Sequence, residues 1–136
     1  AQTLAQLGSE KAWLVHGSDG TDELAISGIS WVTMLNENGS IDDSEIHPED
    51  FGLTPYPFED ILGATPAVNA RAMSNLLSGE KSAYREAVLL NSAAALLVAG
   101  KTDNRKEAVD IARTSIDSGA AQNKLDILVK VTSEAL

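Results

Sequence analysis

Cysteine is absent from this 136-residue chain, and basic residues are scarce. Without cysteine, neither a disulfide nor a metal site built on thiolates can form, which is compatible with a cytoplasmic location. Ten Lys and Arg residues stand against twenty Asp and Glu residues, giving a net charge of -10. Because such a surface repels phosphate groups, we expect no nucleic-acid partner and no anionic-membrane partner.

Long apolar runs are missing as well. The longest, residues 87–99, is interrupted by Asn91 and Ser92, and crossing a bilayer takes about 20 apolar residues. This run is therefore interpreted as a buried helix. No segment resembles a signal peptide, and the start at Ala1 without an initiator Met is expected of a processed chain or an excised fragment.

The two halves of the chain differ in their residue patterns: residues 1–52 are rich in strand patterns, and residues 53–136 are dominated by helical patterns. The stretch Ala12–His16 is apolar on both faces, as expected for a buried parallel strand. Two more strands, Ser30–Leu35 and Ser40–His47, are separated by a turn that contains Asn-Gly. This pair predicts a hairpin.

About four helices are predicted in the second half. The first has Thr65 as its cap, the second spans about Ser82–Ala99, and the third spans about Asn104–Asp117 with Asp103 as its cap. The fourth follows a Ser-Gly break. Helical spacing predicts the inner faces of the first, third and fourth helices: Val68, Ala72, Leu76 and Leu77; Ala108, Ile111, Ala112 and Ile116; Ala121, Leu125, Leu128, Thr132 and Leu136.

These elements predict an α/β fold, with a partial mixed or parallel sheet and a β-hairpin followed by about four α-helices. Three or so strands cannot cover both faces of Ala12–His16. We therefore expect this strand to lie at an incomplete sheet edge or to pair with another chain. The chain is accordingly interpreted as a fragment of a larger α/β domain.

The stretch that best suits chemistry is the acidic loop His16–Glu23. It follows a strand, and open α/β sheets bind ligands in loops at the carboxyl ends of their strands. Asp19, Asp22 and Glu23 place three carboxylates within five residues, and oxygen ligands of this kind suit Mg²⁺. Spacing alone leaves an acidic surface turn as the alternative. The loop lacks the Gly-Lys-Ser/Thr ending of a P-loop and the ligand spacing of an EF-hand.

Three further polar residues each have two interpretations. His16 is either a general base or a strand-end histidine bonded to backbone. Arg85 either reaches a phosphate or forms an exposed ion pair with Glu80 or Glu86. Asn91 is expected to bond to a loop, because a buried amide needs a partner, and a ligand role is the alternative. No Ser/His/Asp set and no metal-binding His pair is present, so no catalytic residue is assigned.

Several stretches, in this order, resemble anthranilate phosphoribosyltransferases. The acidic loop Val15–Glu23 is similar to a loop of that family, and Pro48–Leu53 is similar to the segment that follows it there. Each stretch alone gives only a modest resemblance, but the joint order and spacing of the stretches are specific to this family. The resemblance covers essentially the whole chain and continues through Asn69–Ala72, Leu76–Glu80, Tyr84–Leu96 and Ile116–Ala121.

The resemblance implies transfer of phosphoribosyl from phosphoribosyl pyrophosphate to the amino group of anthranilate, with Mg²⁺, in tryptophan biosynthesis. It implies that Asp22 and Glu23 are the family's adjacent Asp-Glu metal ligands. It also implies that the complete enzyme is a homodimer, with residues 1–136 as the C-terminal portion of its α/β domain. The family's Gly-Thr-Gly-Gly-Asp loop, its Lys-His-Gly-Asn segment and its helical domain have no match here. We therefore expect the chain alone to be inactive.

Three other functions remain open at this stage. A pyrimidine-nucleoside phosphorylase relative would share the fold, although the acidic loop and the apolar helix fit it less well. A non-catalytic relative could use the fold for binding, but a nucleic-acid partner would require a basic face. A helical interaction module with an acidic loop is the third alternative.

Overall fold

The computed structural model describes residues 1–134 and begins with a short helix, α1 (Gln2–Gln6). Three strands follow and form one antiparallel sheet in chain order: β1 (Ala12–Gly17), β2 (Ser30–Leu35) and β3 (Ile41–Ile46). The turn between β2 and β3 is closed by the Gly39 N–H, which donates to the Asn36 carbonyl at 2.8 Å. Gly39 has a φ of +80°, which glycine adopts without strain. The predicted hairpin is confirmed.

β1 is an edge strand, and its pairing differs from the prediction. Its two-sided apolar pattern predicted a parallel strand, but β1 pairs antiparallel with β2. The two are joined by residues 18–29, which contain no crossover helix, the element that usually connects parallel strands. Trp13 and Val15 pack against the core, whereas Leu14 is 41% exposed on the other face. The other edge of β1 has no strand partner within residues 1–134.

Four long helices form the second half, after two short 3₁₀ turns. The number of these helices and the α/β class agree with the predictions. The two turns span Pro48–Phe51 and Phe58–Ile61, and the helices are α2 (Pro66–Leu77), α3 (Ala83–Val98), α4 (Arg105–Asp117) and α5 (Ala120–Glu134).

The helix boundaries follow the predicted signals with one exception. The side chains of Thr65 and Ser82 cap α2 and α3, and Gly100 follows α3 with a φ of +64°. α4 is capped by Asn104 and not by Asp103. The Asn104 Oδ1 accepts the second and third N–H groups of the helix at 3.0 and 3.1 Å. Asn and Asp cap helices about equally well, so the sequence could not distinguish these neighbours.

The core is centred on α3, which has the largest number of buried residues, and α4 packs along it. In α4 the buried stripe is rotated relative to the prediction. Val109 is 2% exposed, whereas Ile111, which was expected to face inward, is 38% exposed. The stripe turns this way because α4 also packs on the turn Pro48–Phe51. The buried residues of α3 and α4 include Leu89, Leu90, Ala93, Leu97, Ala108, Val109, Ala112 and Ile116.

α2 and α5 are more exposed than predicted. On α2, Leu76 is buried but Val68 is 53% exposed, and on α5 Leu128 is 58% exposed. These apolar positions are uncovered because few elements within residues 1–134 lie beside the two helices. The prediction for Leu136 falls outside the described residues. Among the described helices, none has the length and apolar content needed to cross a membrane.

Candidate functional site

The acidic loop begins with a tight turn at the end of β1. The Gly17 N–H donates to the Thr21 carbonyl at 3.0 Å, and the Gly20 N–H donates to the Gly17 carbonyl at 3.0 Å. Gly20 has a φ of +87°, a conformation that favours glycine. At the base of the loop, the Ser18 N–H donates to the Ile29 carbonyl at 2.9 Å. The loop is therefore a hydrogen-bonded unit with a defined shape.

Asp19 lies inside this turn and organises it. Its Oδ1 accepts the Thr21 N–H at 3.1 Å and the Thr21 hydroxyl at 2.7 Å, and its Oδ2 accepts the Ser27 hydroxyl at 2.8 Å. Burial raises the pKa of Asp19, but these hydrogen bonds together outweigh burial and leave its pKa below the ordinary value of 3.8. Since both oxygens are engaged inside the loop, Asp19 has a structural role.

Gly17 makes room for this arrangement. A Cβ atom at position 17 would lie 2.6 Å from the Asp19 Oδ1 and 2.8 Å from the Thr21 Oγ1. Atoms cannot approach so closely, so any larger residue at Gly17 would displace Asp19 from Thr21. The glycine is required here for space and not for a positive φ.

Acid is expected to loosen the loop through Asp19. Because the pKa of Asp19 is lower in the folded chain than its ordinary value of 3.8, ionised Asp19 stabilises the folded loop above that value. This contribution is lost as the pH falls through 3.8 toward the folded pKa. We expect the hydrogen-exchange protection of the Thr21 amide to fall over this range. In Asp19→Asn, protection should already be lower at neutral pH. Equal, pH-independent protection in both proteins would contradict the prediction.

Asp22 and Glu23 follow the turn directly, and both side chains are exposed. None of the four ion pairs found within residues 1–134 uses either carboxylate. The structure thus separates the three acidic residues of the loop into one internal carboxylate, Asp19, and two external ones. The external pair is the part of the loop available to a ligand.

The donor set at this pair suits a particular kind of metal site. Within the described residues, no group of three or more His, Cys, Asp or Glu side chains is arranged to hold a metal ion. Two adjacent carboxylates nevertheless fit Mg²⁺, which commonly takes one or two carboxylates and completes its octahedral shell with water and substrate phosphate oxygens. Asp22 and Glu23 therefore suit a metal that is bound together with a phosphate ligand.

The backbone after the external pair is buried and anchored. Residues Leu24–Ile26 are at most 2% exposed. The Ala25 N–H donates to the Ser30 Oγ at 2.8 Å, and the Asn91 side chain bonds to both backbone groups of Leu24. The predicted contact between Asn91 and a loop is confirmed, and the loop is the acidic one.

Within residues 1–134, no hydrogen bond or ion pair links His16 to the external carboxylates. Its ring stacks on Trp31, the residue opposite it on β2, with ring centroids 5.8 Å apart and planes inclined by 23°. This contact was not predicted. The register of β1 on β2 creates it, and the register was unknown from the sequence.

The predicted exposed ion pair of Arg85 with Glu80 or Glu86 is wrong, because Arg85 pairs with Asp117. Arg85 is 4% exposed, and its Nη2 lies 2.7 Å from the Oδ1 of Asp117, at the end of α4. Its Nη1 has no hydrogen-bond partner within the described residues. Asp117 is 32 residues away, so a search for nearby charges could not find it. The pair links the start of α3 to the end of α4.

Removing the Asp117 charge is expected to destabilise the chain. Breaking a buried pair leaves an uncompensated charge and costs about 3–5 kcal/mol. Because the Asp117 side chain is 49% exposed, we expect Asp117→Asn to lower the free energy of unfolding by about 2 kcal/mol in urea denaturation. The matched control is Asp110→Asn, which removes the partner of Arg113 from an exposed pair. This control should cost less than about 1 kcal/mol, and equal losses would contradict the burial argument.

Comparison with known proteins places these features in a family. The chain matches the glycosyl transferase family, a/b domain, over residues 1–122. It is 50% identical over 133 residues to the anthranilate phosphoribosyltransferase of Parvibaculum lavamentivorans, and 46% identical over 134 residues to that of Xanthobacter autotrophicus. Each match covers 98% of this chain and 39% of the relative. The chain therefore spans about two fifths of the length of these curated relatives.

Solved structures of anthranilate phosphoribosyltransferases also superpose on this chain. The anthranilate phosphoribosyltransferase of Thermus thermophilus superposes with a TM-score of 0.84 at 35% identity, covering 95% of this chain and 37% of that one. The Saccharomyces cerevisiae enzyme in complex with PRPP and Mg superposes with a TM-score of 0.80 at 25% identity, covering 90% and 35%. Since the family match extends over 122 of the 136 residues, the chain belongs to the glycosyl transferase family, a/b domain.

Proposed function

We propose that this chain is the C-terminal portion of the α/β domain of an anthranilate phosphoribosyltransferase. The observation that carries the proposal is the 50% identity over 133 residues to an enzyme of that name. The acidic loop supports it, because its two external carboxylates suit a metal bound together with phosphate. A yeast relative of similar fold was solved with PRPP and Mg, which is the ligand pair that such a site would accept.

The reaction moves a ribose carbon between two partners. The amino nitrogen of anthranilate bonds to C1 of the phosphoribosyl group, the C1–O bond breaks, and pyrophosphate leaves with the bonding electrons while the amine loses a proton. A bound Mg²⁺ supplies positive charge that offsets the negative charge growing on pyrophosphate. Asp22 and Glu23 would hold that ion, and the turn organised by Asp19 would hold the two carboxylates in place. No described residue is assigned as a general base.

This portion would supply metal ligands, and other parts of the enzyme would hold the substrates. The glycine-rich loop that the resemblance assigns to pyrophosphate has no counterpart in this sequence. The proposal therefore assigns no substrate-binding residue to this chain. The homodimer implied by the resemblance remains a prediction, and so does the cytoplasmic location, with which the absence of cysteine is compatible.

The test uses the complete enzyme that contains this chain. Loss of anthranilate fluorescence should require phosphoribosyl pyrophosphate and Mg²⁺ together, and a chelator should stop it. A parallel assay for phosphorolysis of pyrimidine nucleosides tests the rival enzyme class. Phosphorolysis without phosphoribosyl transfer would overturn the proposal in favour of that class. Absence of both activities in a folded, complete protein would favour a non-catalytic relative.

A further inference from the structure

One side chain of α3 binds the backbone next to the external carboxylates. The Asn91 Oδ1 accepts the Leu24 N–H at 2.9 Å, and the Asn91 Nδ2 donates to the Leu24 carbonyl at 3.0 Å. The same Nδ2 also donates to the Ala87 carbonyl, one helical turn earlier, at 3.1 Å. The amide thus satisfies both backbone polar groups of Leu24 while its own orientation is set by α3.

This contact controls the direction in which the chain leaves the carboxylate pair. The Leu24 N–H belongs to the peptide unit whose carbonyl is that of Glu23, and a peptide unit is planar. Fixing that N–H therefore fixes the plane that begins at the Cα of Glu23. Leu24 is 2% exposed, so water cannot readily replace the amide as a partner.

The carboxylate pair is therefore held from both sides. Before it, Thr21 is fixed by Asp19 through two hydrogen bonds. After it, Leu24 is fixed by Asn91 through two more. Only Asp22 and Glu23 lie between these two points, so their backbone has little freedom although their side chains are exposed.

We propose that Asn91 is a positioning residue for a divalent cation held by Asp22 and Glu23. The inference rests on the proposed function, because it takes the metal role of the two carboxylates from there. Groups that orient metal ligands without touching the metal change metal affinity by about 10–100-fold when they are removed. Asn91 acts in this way through the Leu24 backbone, and it contacts neither carboxylate by a hydrogen bond.

The test replaces Asn91 in the complete enzyme with Leu, which has nearly the same size but cannot form hydrogen bonds. The matched control is Ser82→Ala, which removes the cap of the same helix and leaves the Leu24 contact intact. Three quantities are compared: the Mg²⁺ concentration for half-maximal turnover, Mn²⁺ affinity by electron paramagnetic resonance with pyrophosphate present, and the exchange rate of the Leu24 amide without metal.

We expect Asn91→Leu to weaken both metal parameters by about tenfold or more and to accelerate Leu24 exchange, while Ser82→Ala changes the metal parameters less than twofold. Equal metal effects in both variants would overturn the positioning role, because general loss of stability would then explain them. If Asn91→Leu does not fold, Asn91→Ala removes the same amide hydrogen bonds without adding bulk or charge. Asn91→Ala should weaken Mn²⁺ binding in the same direction, and an unchanged affinity would overturn the inference.

The same measurements on Asp22→Asn with Glu23→Gln separate this inference from the proposed function. Weakened metal binding in that double variant with unchanged binding in the Asn91 variants would overturn the positioning role alone. Unchanged metal binding in the double variant would overturn the metal assignment itself, together with the inference that depends on it.

Discussion

The 136-residue chain alone is expected to form no measurable phosphoribosyl anthranilate. It covers 39% of the length of the two curated relatives from Parvibaculum and Xanthobacter, and no described residue is assigned to bind either substrate. Without groups that hold both reactants in attack geometry, the positioning contribution, worth about 7–11 kcal/mol of the barrier, is lost. The chain should therefore remain inactive even if the acidic loop folds normally and binds metal.

The measurement is the loss of anthranilate fluorescence with phosphoribosyl pyrophosphate and Mg²⁺, with the complete enzyme as the positive control. The chain must be purified away from the host enzyme, because a trace of that enzyme would give a false rate. The double variant Asp22→Asn with Glu23→Gln, made in the isolated chain, distinguishes activity of the chain itself from activity of contaminating host enzyme. A turnover that persists through repurification and disappears in this variant would contradict the prediction.

In the complete enzyme, Asp22→Asn with Glu23→Gln is expected to reduce turnover by about 100-fold or more at low Mg²⁺. The two substitutions keep the shape of the side chains but remove both charges, and lost stabilisation of charge in a transition state has effects of about this size. Folding should be nearly unchanged, since exposed substitutions cost about 0.5 kcal/mol or less. Higher Mg²⁺ should recover part of the rate if the site is weakened and not abolished.

The control for this experiment is Asp43→Asn with Glu45→Gln, which removes the same number of charges from exposed positions of β3. It should leave the dependence of turnover on Mg²⁺ unchanged, because β3 is not assigned to the site. If turnover of the Asp22 and Glu23 double variant depends on Mg²⁺ in the same way as turnover of the wild type, the metal role is wrong. The two residues would then be part of an acidic surface turn.

Local signals in the sequence were sufficient for much of the fold. The Asn-Gly pair predicted the hairpin, Ser82 and Gly100 predicted the ends of α3, and helical spacing predicted the buried Ala108 and Ile116. Each of these features depends on residues within a few positions of one another. The acidic loop was found for the same reason, since its carboxylates are adjacent in the sequence.

Features that depend on distant residues could not be predicted. Arg85 meets Asp117 across 32 residues, and Asn91 meets Leu24 across 67 residues. The sequence indicated that Asn91 needs a loop partner, but it could not identify which loop. Spacing alone also did not show that Asp19 points into the loop, although the resemblance assigned the metal to Asp22 and Glu23 only. The contact of Asp19 with Ser27, eight residues later, forms only when the loop has folded.

The two edges of the sheet differ in their tendency to associate with other chains. β3 carries Asp42, Asp43 and Glu45 at one edge, whereas β1 at the other edge contains neither a proline nor an acidic or Lys/Arg residue. Charges on edge strands oppose pairing between molecules, so further strands can be added at β1 but are repelled at β3. Aggregation of the isolated chain should therefore begin at β1.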